Sequence, residues 1–153
     1  MKYWVLFLAC FSSVVFAYAE DVSMTHSFSS TIGELRYSTT IYNEHFSSDN
    51  PDHLTELVEG EYRWCVKAAV DLEEAALLAS NEAKLLLGDK LNSTWLLKEA
   101  GREVSGGGGR YLHHYIFSFQ PDMESRVSEK RERGFVQIVV LLDGTVIKPK
   151  KIT

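Results

Sequence analysis

A chain of 153 residues that is 45% apolar has material for one core, and its 16 basic against 21 acidic residues leave it at −5. That balance lacks the cationic footprint needed for a phosphate backbone, so nucleic acid is not expected as a partner. Two cysteines allow at most one disulfide, which argues against a small stapled scaffold.

Met1 to Ala19 carries a lone Lys2, an apolar run from Tyr3 to Phe16 broken by Ser12 and Ser13, and the small-x-small ending Ala17-Tyr18-Ala19. This is the pattern of a cleaved secretory signal, and it is short for a membrane span with flanking anchors. Residues 1–19 are therefore expected to direct export to the periplasm or the extracellular space, with no transmembrane anchor after cleavage near Glu20. Leu8-Ala9-Cys10 is a poor lipoprotein site placed too early in the run, so simple export is preferred. Losing Lys2 leaves 15 basic against 21 acidic residues, a net −6, and Cys65 as the single thiol. The fold must then be held by its own core.

Residues 20–60 form a Ser/Thr-rich N-terminal segment, partly ordered or a linker. Within it Leu35, Tyr37, Thr39 and Ile41 alternate as in a strand, while a loosely ordered linker fits the composition equally well. Asn50-Pro51 breaks the chain, and Asp52 to Val58 is expected to make a short helical turn ended by Gly60.

Residues 61–153 are expected to form an α+β domain. Tyr62, Trp64, Val66, Ala68 and Val70 alternate with Arg63, Cys65, Lys67 and Ala69, which suits a strand, although Ala68-Ala69 would also extend a helix backward. The next residues decide for the strand. Asp71 can cap the first turn of a helix, Glu74 completes a capping box, and Gly88 suits the position past the last turn. Between them Leu72, Ala75, Ala76, Ala79, Ala83, Leu86 and Leu87 recur on one helical face. A mostly alanine face lets the covering layer approach closely.

After Gly88 the pattern changes to strands. Trp95, Leu96, Leu97 and Val104 are diluted by Lys98, Glu99, Arg102 and Glu103, as on an exposed face or sheet edge, and Gly101 suggests a bulge. Beyond the Gly106 to Gly109 run, Tyr111, His113, Tyr115, Phe117 and Phe119 alternate with Leu112, His114, Ile116 and Ser118. Met123 to Arg133 is charged and reads as a solvated loop. Phe135 to Leu142 is apolar on both faces apart from Gln137, as in a central strand. Asp143-Gly144 offers the two positive-φ positions of a tight hairpin returning through Thr145-Val146-Ile147. Pro149 and the Lys148, Lys150, Lys151 cluster are expected to stop the sheet. The fold class is thus α+β, with one main helix packed on a curled antiparallel sheet of four to five strands.

The capped helix LEEAALLASNEAKLLLG, the aromatic strand RYLHHYIFSF and the hairpin VQIVVLLDGTVIKP together resemble the small exported PepSY-like domains, whose helix-on-curled-sheet layout is similar to that of cystatins. The resemblance covers a little over half of the chain. It implies a noncatalytic extracytoplasmic module that binds or restrains peptidases or acts in the cell envelope. The cystatin Gln-x-Val-x-Gly signature is absent, since the corresponding hairpin holds Ser105 and four glycines, and no inhibitory residue is carried over.

Chemistry-bearing residues do not converge in the sequence. His113 and His114 point to opposite faces of a strand and cannot share a metal ion; one is expected to pack among Tyr111 and Tyr115 and the other to be exposed. His26, His45 and His53 have no ligand spacing, so no metal or other cofactor is expected. Cys65 stands six residues from the helix start, about 20 Å along a strand, too far for that terminus to activate it. Glu73-Glu74 suit a helix start, and Glu99 with Glu103 a solvated strand face. The glycine run has no Lys-Ser or helix after it to cradle phosphate. Asn92-Ser93-Thr94 is a glycosylation acceptor at Asn92. The function expected is an exported module without catalytic activity that recognises a protein or peptide. The alternative is a small-ligand carrier or enzyme with a pocket between helix and sheet lined by Trp64, Trp95, Tyr111, His113 and Tyr115.

Overall fold

The computed structural model describes residues 25–46, 55–107, 110–122 and 133–152. The expected signal with Cys10, the Asn50-Pro51 break, His53 and most of the charged 123–133 stretch lie outside them. No helix among the described residues is long and apolar enough to cross a membrane. Nine strands and one α-helix appear in the order β1 (His26–Ile32), β2 (Leu35–Ile41), β3 (Thr55–Val58), β4 (Glu61–Trp64), α1 (Leu72–Leu87), β5 (Trp95–Gly107), β6 (Arg110–Pro121), β7 (Gly134–Leu141), β8 (Val146–Ile147) and β9 (Lys150–Ile152). Seven of the strands make one open sheet in the order β5-β6-β7-β1-β2-β9, with β8 also on β7.

The helix begins and ends where its caps dictate. Asp71 is extended and its Oδ1 accepts from the Glu74 N–H at 2.8 Å, satisfying a first-turn donor. Gly88 closes the helix at a φ of 57°, and its N–H donates to the Lys84 carbonyl. Ala75, Ala79, Ala83 and Leu87 are buried against Trp95, Tyr115, Phe117, Phe119, Val136, Ile138 and Val140. Leu72, placed on that stripe by its spacing, lies instead half exposed at the helix start.

The downstream strands form the expected meander, with β6 between β5 and β7, and β7 next to β8. The sheet exceeds four or five strands because β1, β2 and β9 join it, so it draws on both sides of the boundary placed between residues 60 and 61. Of the two alternatives for residues 35–42, the strand is realised. β1 pairs with β7 only at Thr31–Phe135 and Ile32–Gly134, then runs with β2 along its whole length. Phe28 of β1, Ile41 of β2 and the following Phe46 pack on Ile116 and Val139, the face of β6 and β7 that the helix does not cover. The central strand is therefore apolar on both faces because each face meets its own layer.

Several local expectations are corrected. Residues 55–58 are strand, not helical turn: Glu59 and Gly60 both take positive φ, 52° and 86°, which closes a two-residue hairpin between β3 and β4. The 62–70 strand stops at Trp64, and β3 and β4 form a sheet of their own. The chain from Cys65 to Val70 is irregular, with its backbone groups taken elsewhere. Val70 O accepts from the Tyr115 hydroxyl at 2.9 Å, Val66 O accepts from Arg102, and the Ala69 and Val70 amides donate to Leu142 O. The β5 irregularity falls at Lys98, between Leu97 and Glu99, and not at Gly101. In the β7–β8 turn only Gly144 has positive φ, and Asp143 serves by accepting the Thr145 N–H at 2.8 Å. The lysine-rich end does not stop the sheet: Lys150 to Ile152 pair with the otherwise open edge of β2.

Gly134 sits at the junction of the two halves of the sheet with a φ of 141°, and a Cβ there would collide with the Thr31 carbonyl oxygen and crowd the Trp95 ring. Gly134→Ala is expected to loosen the β1–β7 pairing and cost roughly 1–3 kcal/mol from backbone strain alone. Asp71→Ala is expected to cost about 1 kcal/mol through the lost cap. Urea unfolding of both variants checks these values; an unchanged midpoint for either contradicts the corresponding account.

Candidate functional site

The strand register assembles a polar cluster just past the end of the helix layer. Arg102 of β5 stands opposite Tyr115, and Val104 opposite His113, so Arg102 and His113 share the face that α1 covers farther along. Alanines do not reach this far. Trp64 at the end of β4 and the irregular chain after it cover this part of the sheet instead, and the Trp64 ring lies 4.8 Å from the Arg102 guanidinium carbon. The same indole meets the His113 ring edge-on, with centroids 5.9 Å apart.

His113 is 8% exposed, and neither ring nitrogen has a hydrogen-bond partner among the described residues. Burial, then the neighbouring Arg102 charge and then His114 hold its pKa below the ordinary imidazole value, so it is neutral at pH 7. A neutral ring offers one N–H and one lone pair.

His113 also lines a cleft of about 490 Å³. Val66 and Lys67 form one wall, Tyr111 and Leu112 continue from His113, and Leu141, Leu142 and Asp143 approach from the β7–β8 turn. Glu44 and His45 enter from the short 3₁₀ turn after β2. Hydrogen bonds from Thr145 hold the Asp143 pKa below the ordinary carboxylate value, helped by His45, so this carboxylate is ionised at neutral pH. Its depressed value stabilises the turn above the unfolded carboxylate pKa, and that contribution is lost as pH falls through the folded one. The cleft thus combines the Lys67 ammonium, two carboxylates, a phenol ring and two imidazoles, of which that of His113 has no hydrogen-bond partner among the described residues. A second depression of about 560 Å³ follows the start of α1, where Asp71, Glu73 and Glu74 rim Ala76, Leu77 and Ser80. It contains neither an aromatic ring nor an imidazole.

The candidates from sequence separate into two groups. Trp64 touches His113, and Tyr111 and His113 share the cleft; Tyr115 stands beside them, its hydroxyl committed to Val70. Trp95 is fully buried at the opposite end of the core, against the start of β7. His114, expected to be exposed if His113 was packed, is fully buried, because β1 and β2 cover that face. Cys65 is half-buried, and Asn92 lies exposed in the loop after the helix. No group of three or more His, Cys, Asp or Glu side chains among the described residues is placed to hold a metal ion. Arg102, Lys67, Glu44, His45 and Asp143 went unrecognised. Only Arg102 left a signal, its two-residue spacing from Val104 in a strand that faces aromatics. No family model, curated protein or solved structure matches the chain.

Because the Arg102 charge helps to hold His113 neutral, Arg102→Met is expected to raise the pH at which His113 titrates. The imidazole Cε1–H shift followed by NMR against pH measures this; titration at the wild-type pH or below contradicts it.

Proposed function

We propose that this chain is an exported, noncatalytic interaction module of the PepSY-like type that recognises a protein or peptide, with the His113 cleft as its recognition surface. The observation that carries this reading is the placement of polar groups. They gather in an open cleft beside the helix layer, while the space between helix and sheet is filled by Trp95, Phe117, Phe119 and the alanine face. An open surface with charges of both signs and an aromatic ring suits a peptide segment, whose backbone and side chains offer donors and acceptors together. Packing of the single helix on an antiparallel meander supports the PepSY-like or cystatin-like layout with a curled sheet, to which β1, β2 and β9 add a second layer. The export part of the proposal rests on the Lys2 to Ala19 pattern.

The small-ligand carrier or enzyme has one observation in its favour, a buried imidazole at the floor of a cleft of several hundred Å³. The two readings make different demands on Tyr111 and Lys67. Peptides selected from a displayed library are expected to shift the NMR resonances of Lys67, Tyr111 and Asp143, and Tyr111→Ala or Lys67→Glu is expected to weaken them at least about 10-fold, ~1.4 kcal/mol. Hydrolysis of an ester, peptide or glycoside that disappears with His113→Phe overturns the proposal in favour of an enzyme.

A further inference from the structure

The second layer has a mode of attachment unlike that of the first. β1 is tied to β7 by two residue pairs, and from His26 to Ser30 it hydrogen-bonds along β2 alone. β9 follows β2 through Arg36–Ile152, Tyr37–Lys151 and Ser38–Lys150, and it is joined to β8 through Lys148 and Pro149. The three strands therefore form one flap over β6 and β7. Beyond the two junction pairs, the flap is held by apolar packing of Phe28, Ile41 and Phe46, by the Gly33 N–H donating to Arg133 O at 3.1 Å beside the junction, by the Gln137 N–H donating to Ser30 Oγ at 2.9 Å, and by Arg110 Nη2 donating to Phe46 O at 3.0 Å.

His114 lies in the middle of this interlayer and is fully buried. Its Nδ1 is 3.3 Å from the Leu112 carbonyl, which can only accept, so Nδ1 carries the proton in the neutral ring. Nε2 is then a lone pair without a partner among the described residues. Phe28 meets the ring edge-on at 5.7 Å, and His26 packs on Phe28 in turn at 4.6 Å.

The charged and titratable groups around His114 do little to accommodate a cation. β1 brings His26, whose charge opposes a second one, and β2 brings the Thr39 hydroxyl, with the Tyr37 phenol farther along the same face. On its own strand Arg110 shares the face of His114. On β5 Glu103 stands opposite in register but is exposed to solvent. β7 presents Leu141 and Val139, and β8 presents Ile147. Burial therefore dominates, and it keeps the imidazole pKa low despite the Leu112 hydrogen bond.

We propose that His114 makes the β1–β2–β9 flap an acid-released cover: protonation places an unpaired charge in the interlayer, and the flap lifts from β6 and β7 while α1 and the β5–β6–β7 sheet stay together. Lifting exposes Ile116 and Val139 together with Phe28 and Ile41, an apolar surface closed at neutral pH. Because the open form takes up a proton at the ordinary imidazole pKa near 6.5, the flap is favoured to open as pH falls below that value. The opening equilibrium rises by up to about 30-fold at pH 5 and is independent of this group above pH 7.

Amide hydrogen exchange on the full chain at pH 7.5 and pH 5.0, corrected for intrinsic rates, tests this. The Gln137 amide, held by Ser30 Oγ, and the amides of the Thr31–Phe135 and Ile32–Gly134 junction are expected to lose protection by roughly 30-fold relative to those of α1 and of the β5–β6 pairing. His114→Phe and the polar but non-titrating His114→Gln are each expected to abolish the change, so the test survives if one of them fails to fold. His113→Phe, on the opposite face, is expected to leave it intact. Equal protection of the Gln137 and β1–β7 junction amides at both pH values, loss of protection spread evenly over all strands and the helix, or a wild-type response in a folded His114 variant overturns the proposal.

Discussion

The pairing of β6 with β7 is the constraint on which everything else rests. Six residue pairs from His114–Leu141 to Phe119–Val136 join two strands that are apolar on both sides. Neither face is tolerable in water, so each must acquire a cover. One cover is the alanine stripe of α1, the other the Phe28, Ile41 and Phe46 surface of the N-terminal hairpin. The chain is thus three layers deep, with the β6–β7 pair as the common wall.

The two covers differ in kind. The helix brings four fully or nearly fully buried side chains of which three are alanines, so its backbone lies close to the sheet and leaves little room for anything else. The hairpin brings large rings and aliphatic groups and is joined to β7 by backbone only through the two pairs at the Gly134 junction. Dispersion and burial hold it where hydrogen bonds do not. Polar residues lie differently under the two covers. Arg102 and His113 lie past the end of the helix, under Trp64, whereas His114 is enclosed beneath the hairpin.

That distribution makes the two adjacent histidines chemically unlike one another. His113 borders an open cleft and has a cation beside it; His114 is enclosed by rings and aliphatic side chains and has one carbonyl for company. Alternation along β6 sends them to opposite faces, and a strand that was open on one side would have left one of them in water. Both are buried because both faces are covered.

Much of this architecture was legible before any coordinates. Asp71 and Gly88 marked the helix to the residue, since caps are local chemistry, and the clean alternation of β6 and the two-sided apolarity of β7 announced strands with defined burial. The dilution of β5 by charge matched its place at the sheet edge. What local pattern could not contain was the choice of partner. Glu59-Gly60 closes a hairpin because residues 55–58 find residues 61–64. The Lys150 to Ile152 stretch becomes strand because β2 has a free edge, and Glu44, His45, Lys67, His113 and Asp143 meet only when four separate segments converge. Periodicity and capping depend on neighbours within a turn or two of the chain, so the sequence alone determined the helix, the meander and the faces of its strands. Which surfaces cover those faces depends on contacts across a hundred residues, and only the tertiary structure decided them.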